Sequence, residues 1–460
     1  MLAWLKMIGW VYFAGIFFFS MRRPRFLRVG MGFFRRRWPI FRSPFASFAG
    51  ATYLITRADD TQEVLRRAHD FLLGPVNEKK ILTGDFIIAL DPERRYLTEK
   101  TNAARALPPE RIRDLERFVD DAARPLLAEP IDGSFNVTLY VERITVAIVR
   151  DFWGLDPDGA RSNVVEAQPG FETMRLWLRK LAIVLASMEP APLGIREVGL
   201  QCSEEFLSYV RAECAVHPQN NQDMIAHILR ESRGNMDETV RSIAGLTMTG
   251  AAVVTKAFSQ AFDQLLNFPD ALDAAITASM QEAQLRAAGR IGEARQRRMF
   301  VGRILVEALR FNPVFPVIPR YCVRSTTLAR GTDRETEIPA GSNVIVSPLG
   351  AMFDPNAVIE PERFGFARNI QLNSRTSTMP DWDYGSRSDG TPGDYVIFGG
   401  GEHWCMGDQM AICEMASMAV ALLNRLCEPT VPRGARRRPY RVDQLRYDNS
   451  AAESLLVGAR

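Results

Sequence analysis

Residues 396–407 read Val396-Ile397-Phe398-Gly399-Gly400-Gly401-Glu402-His403-Trp404-Cys405-Met406-Gly407, a cysteine in a glycine-rich loop just ahead of an apolar run with helical spacing. Glycine is the residue that lets backbone turn left-handed or pass close to a sulfur atom or a flat ligand. The pattern is F-x-x-G-x-x-x-C-x-G, filled by Phe398, Gly401, Cys405 and Gly407. A thiolate held this way accepts backbone N–H hydrogen bonds that tune its electron donation to a metal. A buried structural cysteine beside a turn would have the same local sequence. His403 lies two residues before Cys405, but no further ligand pair stands at zinc spacing. The three glycines also lack the Lys-Ser/Thr of a phosphate loop.

The string closely resembles the signature of the cytochrome P450 family, whose cysteine is the axial thiolate of a haem iron. Ala411 and Glu414 follow as they commonly do in that family's next helix. Upstream, Glu307-Ala308-Leu309-Arg310 lies in a run from Arg303 to Phe311 with apolar residues at helical spacing, so the carboxylate and guanidinium share a helix face. Asn312-Pro313, Pro316 and Arg320 come next in the family's order, and Ile338-Pro339-Ala340-Gly341 then forms a hairpin-like turn into the apolar strand Val344-Ile345-Val346. Ala351-Met352-Phe353-Asp354-Pro355 and Pro361-Glu362-Arg363-Phe364 occupy the places of two further signatures.

The resemblance implies a mainly α fold with small β-sheets, as one large haem domain over residues 45–460. It implies haem b, iron protoporphyrin IX, with Cys405 as the metal ligand and dioxygen or a peroxide as oxidant. It also implies that Glu307, Arg310 and Arg363 form a buried structural clamp, in which losing one charge would cost ~3–5 kcal/mol. Arg320 and His403 take the places of propionate contacts. Most members add a His and an Arg four apart on the helix that Asp91-Pro92-Glu93 opens here. This chain has no histidine there, which leaves Arg94, Arg95 and Lys100 as cations, or an exposed helix face.

The long helix expected from near Asp237 to before Pro269 has the centre Thr247-Met248-Thr249-Gly250-Ala251-Ala252-Val253-Val254-Thr255, rich in small residues. In most monooxygenases of the family this helix bears A/G-G-x-D/E-T, whose acid and alcohol carry protons toward the oxidant and hold a water in a widened turn. Counting back from Pro269 puts Gly250 on the motif glycine, Ala252 on the acid and Val253 on the alcohol. Counting from Glu307 instead puts Val254 on the acid and Thr255 on the alcohol. Both registers lose the acid. In the first, Thr255 is two residues from the alcohol position, roughly 200° around the helix. A mid-helix threonine that only back-bonds to a carbonyl is the other explanation for Thr255.

Composition fits a folded enzyme, with 47% hydrophobic, 10% aromatic and 24% charged residues. A net charge of +3 is too small to argue for nucleic acid as a partner. Leu2 to Met21 is apolar apart from Lys6 and Ser20, long enough to cross the ~30 Å hydrocarbon layer. Residues 1–21 are therefore expected as a membrane anchor, with an interfacial helix as the rival. Arg22, Arg23, Arg25, Arg28, Arg35, Arg36 and Arg37 follow it. They make residues 22–44 a basic hinge that would hold the catalytic domain on the cytoplasmic side of a membrane. Arg433, Arg436, Arg437 and Arg438 form a second basic run that reads as a solvated loop. The scattered Cys202, Cys214, Cys322, Cys413 and Cys427 read as core thiols in a reducing compartment.

Between anchor and core, Phe45–Thr56 is expected as a strand region and Asp59-Asp60-Thr61 as the cap of a helix from Gln62 to His69. Asp156-Pro157-Asp158-Gly159 marks a turn, Ala367–Asp394 a long surface loop, and Phe171–Met188 an aromatic, basic segment near the substrate entrance or an ordinary packed helix. The expected function is a monooxygenase inserting oxygen into a hydrophobic small molecule, lipid- or terpenoid-like. With no flavin, nicotinamide or iron–sulfur motif in the chain, electrons would come from a separate protein, a ferredoxin or a flavoprotein reductase. The alternatives are a peroxygenase or fatty-acid hydroperoxide isomerase or dehydratase, for which an acid-free helix suffices, and a haem-binding protein without turnover.

Overall fold

A computed structural model of the chain describes residues 24–43, 50–77, 86–87, 90–128, 134–156, 170–186, 193–218, 220–365, 395–426 and 455–456. The expected anchor over 1–21, the loop over 367–394, the basic run over 433–438, Cys427 and positions 157–159 of the expected turn lie outside them. Helices dominate: α1 Pro24–Arg37, α2 Ala58–Arg66, α3 Arg94–Arg105, α4 Pro109–Ala128, α5 Val137–Ile148, α6 Gly170–Ala186, α7 Leu193–Val216, α8 Met224–Glu231, α9 Met236–Thr247, α10 Val253–Leu265, α11 Pro269–Ala287, α12 Ile291–Phe311 and α13 Asp408–Leu426. The strands are β1 Ile40–Arg42, β2 Thr52–Ile55, β3 Phe71–Leu72, β4 Ile318–Cys322, β5 Thr326–Leu328, β6 Thr336–Ile338 and β7 Asn343–Val346, besides a two-residue antiparallel pair of Ser134–Phe135 with Leu455–Leu456. The fold is thus mainly α with small sheets, as the sequence predicts. Its contacts form two compact units.

The first unit lies within residues 1–78, 307–377 and 383–405. Its five-stranded sheet runs β1-β2-β7-β4-β3, with β2 parallel to β7 and the remaining pairs antiparallel. The turn expected at Ile338–Gly341 links β6 to the buried Val344 and Val346 of β7. Helix α2 begins earlier than its sequence suggests. Arg57 is its N-cap, without a side-chain cap, and Asp59 and Asp60 lie inside the first turn. There they meet the positive end of the helix dipole and bind Arg334, at 2.7 Å and 3.1 Å. The helix ends at Arg66, short of the expected His69.

The segment expected as a basic hinge is helical from Pro24 to Arg37 and packs on this unit through Leu27, Met31 and Gly32. Two of its arginines explain the seating. Arg28 stacks over the Phe311 and Phe353 rings at 5.2 Å and 5.0 Å, and Arg35 Nη1 donates to the Gly350 carbonyl at 2.9 Å. A guanidinium spreads its charge over a plane that lies well on aromatic faces, so such a run can dock as well as stay solvated.

The second unit lies within residues 79–306, 378–382 and 406–460. Long and apolar enough to span a bilayer by composition, the Gly401–Leu426 stretch instead has 78% of its most apolar window buried, as a core helix does. Arg298 of α12, 2% exposed, binds Asp120 of α4 at 3.0 Å, Glu282 of α11 at 2.8 Å and Ser417 of α13 at 3.1 Å. Burial disfavours that charge, but Asp120 and Glu282 outweigh it and raise the guanidinium's proton affinity. One buried cation so ties four helices together. On the same helix Gly302 leaves room for α13: a Cβ there would come within 2.9 Å of Ile412.

Candidate active site

In the first unit the cysteine loop is shaped by backbone hydrogen bonds. Gly399 N–H donates to Val396 O at 3.0 Å, Trp404 N–H to Gly401 O at 3.2 Å, and Cys405 N–H to Phe398 O at 3.0 Å. Gly401–His403 makes a single 3₁₀ turn. Gly401 has φ +64°, and a Cβ on it would fall 2.2 Å from the Leu65 carbonyl of α2, so only glycine fits. Tyr395, Val396 and Trp404 are buried while Cys405 is exposed. The other described cysteines are core thiols, as expected. Burial pushes Cys202 and Cys214 up to about 12 and raises Cys322 and Cys413 as well. Among the described cysteines, only Cys405 is an exposed residue.

In the same unit, Glu307 and Arg310 of α12 are both wholly buried. Arg310 Nη2 donates to Glu307 Oε1 at 2.8 Å and Nε to Oε2 at 3.0 Å, a bidentate pair. The rest of the clamp differs from expectation. The Arg363 side chain is 75% exposed and pairs with Glu360, so it is no part of the buried cluster. Its backbone carbonyl accepts from Arg310 Nη2 at 3.0 Å instead. Tyr395, just ahead of the cysteine loop, donates its hydroxyl to Glu307, and Gly365 N–H donates to Glu307 Oε1 at 2.9 Å. A carboxylate can be satisfied by neutral donors, which spares the fold from burying a second cation. Sequence reasoning missed Tyr395, because a lone tyrosine carries no motif.

Of the expected propionate contacts, Arg320 on β4 is 3% exposed and donates to Pro319 O at 3.0 Å, and His403 is half-buried. In the second unit Arg95 is exposed and binds Glu99 at 2.9 Å, and Glu99 also takes Arg241 of α9 at 2.9 Å. Lys100 donates to the Tyr96 hydroxyl at 2.9 Å and lies over that ring. Glu99 and Tyr96, the partners named for Arg95 and Lys100, lie on the same helix as those cations.

The small-residue helix of the second unit has a widened turn. Between α9 and α10, Met248–Ala252 is a π-helical segment. Gly250 lies in it, where a Cβ would come 3.2 Å from the Trp153 ring. Thr255 is buried and donates to Ala251 O at 3.0 Å, with its oxygen 3.3 Å from the Thr145 hydroxyl of α5. Ser259 donates to Thr255 O at 2.9 Å on the same face. From Thr247 to Gln260 only Thr249, Gly250, Val253, Lys256 and Gln260 are not buried, and they share the other face. Ala252 is 7% exposed.

A family model described as Cytochrome P450 matches residues 194–439. Among curated relatives, an erythromycin C-12 hydroxylase of Saccharopolyspora erythraea is 24% identical over 411 residues, which is 88% of each chain. A cyclomarin C epoxidase of Salinispora arenicola is 24% identical over 75% of this chain and 74% of its own. Among solved structures, a mutant of P450 EryK in complex with erythromycin B has a TM-score of 0.66 at 21% identity, covering 88% of this chain and 89% of that one. P450BioI in complex with an acyl carrier protein ligated to hexadec-9Z-enoic acid has a TM-score of 0.65 at 17% identity, covering 88% and 93%.

Proposed function

The chain belongs to the cytochrome P450 family, and on that premise we propose that this haem monooxygenase inserts oxygen into a hydrophobic, lipid- or terpenoid-like small molecule, with electrons from a ferredoxin or a flavoprotein reductase. The carrying observation is Cys405, exposed at the end of a backbone-locked loop while the other described cysteines are buried. These residues fit haem b. A soft sulfur donor lies on an exposed residue of a glycine-rich loop, and buried Arg320 and half-buried His403 are candidates for the propionates. Bound haem would supply oxidation driven by thiolate electron donation, which favours O–O cleavage. Phe398, Gly401 and Gly407 would keep the loop's shape, and Arg95 and Lys100 remain the cations proposed for the haem edge on α3.

On the helix α9–α10 we assign Gly250 to the motif glycine, Ala252 to the acid position and Val253 to the alcohol position. The widened turn at Met248–Ala252 and the half-exposed Val253 support this register. Thr255 then has a packing role through Ala251 and Thr145, although its catalytic use in the other register stays part of the proposal. The absent acid favours a second reading, a peroxygenase or hydroperoxide isomerase or dehydratase. Membrane association is proposed from the apolar run over 1–21 and from Phe26, Val29 and Phe33 of α1, which are 61%, 69% and 51% exposed at helical spacing.

The test has two steps. A lipid and terpenoid library is first screened for a low-to-high-spin shift, and the hits are turned over under ¹⁸O₂ with a ferredoxin–reductase pair. The expected product carries one ¹⁸O atom. Product formed only with an organic hydroperoxide, free of label from ¹⁸O₂, would favour the second reading.

A further inference from the structure

The chain holds 57 Lys and Arg residues, and its lysines are only Lys6, Lys79, Lys80, Lys100, Lys180 and Lys256. Apart from four histidines, every other basic side chain is arginine, including every buried cation tied into the networks above. Lys256 is the exception on the small-residue helix. It follows Ala252 by four residues and Val253 by three, so it shares their side of α10. It also lies on the half-exposed face with Thr249, Gly250, Val253 and Gln260. That is the face on which both functional groups of the usual acid–alcohol pair are missing. Arginine cannot release a proton near neutral pH, whereas lysine can when its ammonium is partly desolvated.

Resting on the monooxygenase reading, we propose that Lys256 is the proton donor that replaces the absent acid. The overall reaction takes dioxygen, two electrons from the carrier protein and two protons, puts one oxygen atom into product and releases the other as water. With haem bound, Lys256 would donate the proton that the oxygen released as water needs: its N–H bond would break, an O–H bond would form, and the neutral amine would remain. Solvent returns the proton, after which the same group gives the second one.

The surroundings of α10 suit this cycle. Helices α5, α11 and α13 pack on it. Their charged groups are Glu142 and Arg143 on α5, Asp270, Asp273, Glu282 and Arg286 on α11, and Asp408, Glu414 and Arg425 on α13. Glu142 is held by Arg175 at 2.8 Å and Arg179 at 3.0 Å, and Glu282 by Arg298. Burial keeps Glu414 protonated well above the carboxylate range. Burial also lowers the Lys256 ammonium, to about 8. At pH 7 it is still charged, yet it gives up its proton far more readily than a solvated lysine, as a general acid near its operating pH should.

The first measurement needs no turnover. The lysines of the full-length protein are reductively methylated with ¹³C, and each is titrated by NMR. The resonance absent from Lys256→Met should titrate well below the others, and a value near the usual ~10.4 overturns the proposal. The second uses Lys256→Arg, which keeps the charge but cannot give up the proton. It should keep its haem, its CO-bound spectrum and the substrate-induced spin shift. It should lose about tenfold or more in product per electron, with the difference appearing as peroxide, while hydroperoxide-supported turnover stays within about twofold. Wild-type coupling in Lys256→Arg, or loss of its spin shift, would refute the donor role. Loss of the thiolate spectrum in the wild type would instead overturn the monooxygenase reading itself.

Discussion

At Glu307 a carboxylate with no exposed surface accepts from Arg310, Tyr395 and Gly365, and Arg310 goes on to the carbonyls of Met352, Pro361 and Arg363. Burial acts to lower the Arg310 proton affinity, and Glu307 more than offsets it. Removing the carboxylate leaves a desolvated guanidinium with carbonyl and aromatic partners and without its paired anion. Glu307→Ala should therefore cost ~3–5 kcal/mol and yield haem-poor protein. Tyr395→Phe deletes one donor to a charged acceptor and should cost ~1.5–3 kcal/mol. Urea denaturation with haem quantitation checks both. Normal haem content in Glu307→Ala would mean that the cluster does not support the cysteine loop. The motif spacing made Glu307 and Arg310 legible in the sequence. Tyr395 was not, because its partner lies 88 residues away in the chain and nothing local records that distance.

At the scale of elements, the long helix through Gly250 was legible in the sequence, whereas the close approach of Gly250 to the Trp153 ring was not, because that ring comes from a distant segment of the chain. The start of α2 was misjudged for a general reason. Asp59 and Asp60 suit an N-cap and a first turn equally, and Arg334, far along the chain, settles them in the turn. Helix α1 was legible as a basic hinge but not as docked, since the rings beneath Arg28 come from Phe311 and Phe353. Its outward Phe26, Val29 and Phe33 make a prediction of their own. A chain starting at Arg22 should still co-sediment with phosphatidylserine vesicles at low salt. Phe33→Ser should weaken that binding about tenfold, the equivalent of losing ~1.5 kcal/mol of apolar burial. No vesicle binding by the shortened chain would show that this face does not serve a membrane.

For the whole molecule, the ordered set of motifs from Glu307 to Cys405 carried more of the fold than any composition or length argument. Length alone favours several domains. The motifs identify one family, and the chain matches that family over residues 194–439. What sequence could not supply is the identity of the substrate, because pocket-lining segments follow no spacing rule and discrimination among apolar ligands depends on a few methyl groups. The account as a whole depends on one bond, from the Cys405 sulfur to haem iron. The reduced, CO-bound spectrum tests it in three proteins. The wild type and Cys413→Ala should both show the strongly red-shifted band of a thiolate-ligated haem, since Cys413 is a buried core thiol. Cys405→Ala should lose that band. Retention of the band in Cys405→Ala would contradict the account.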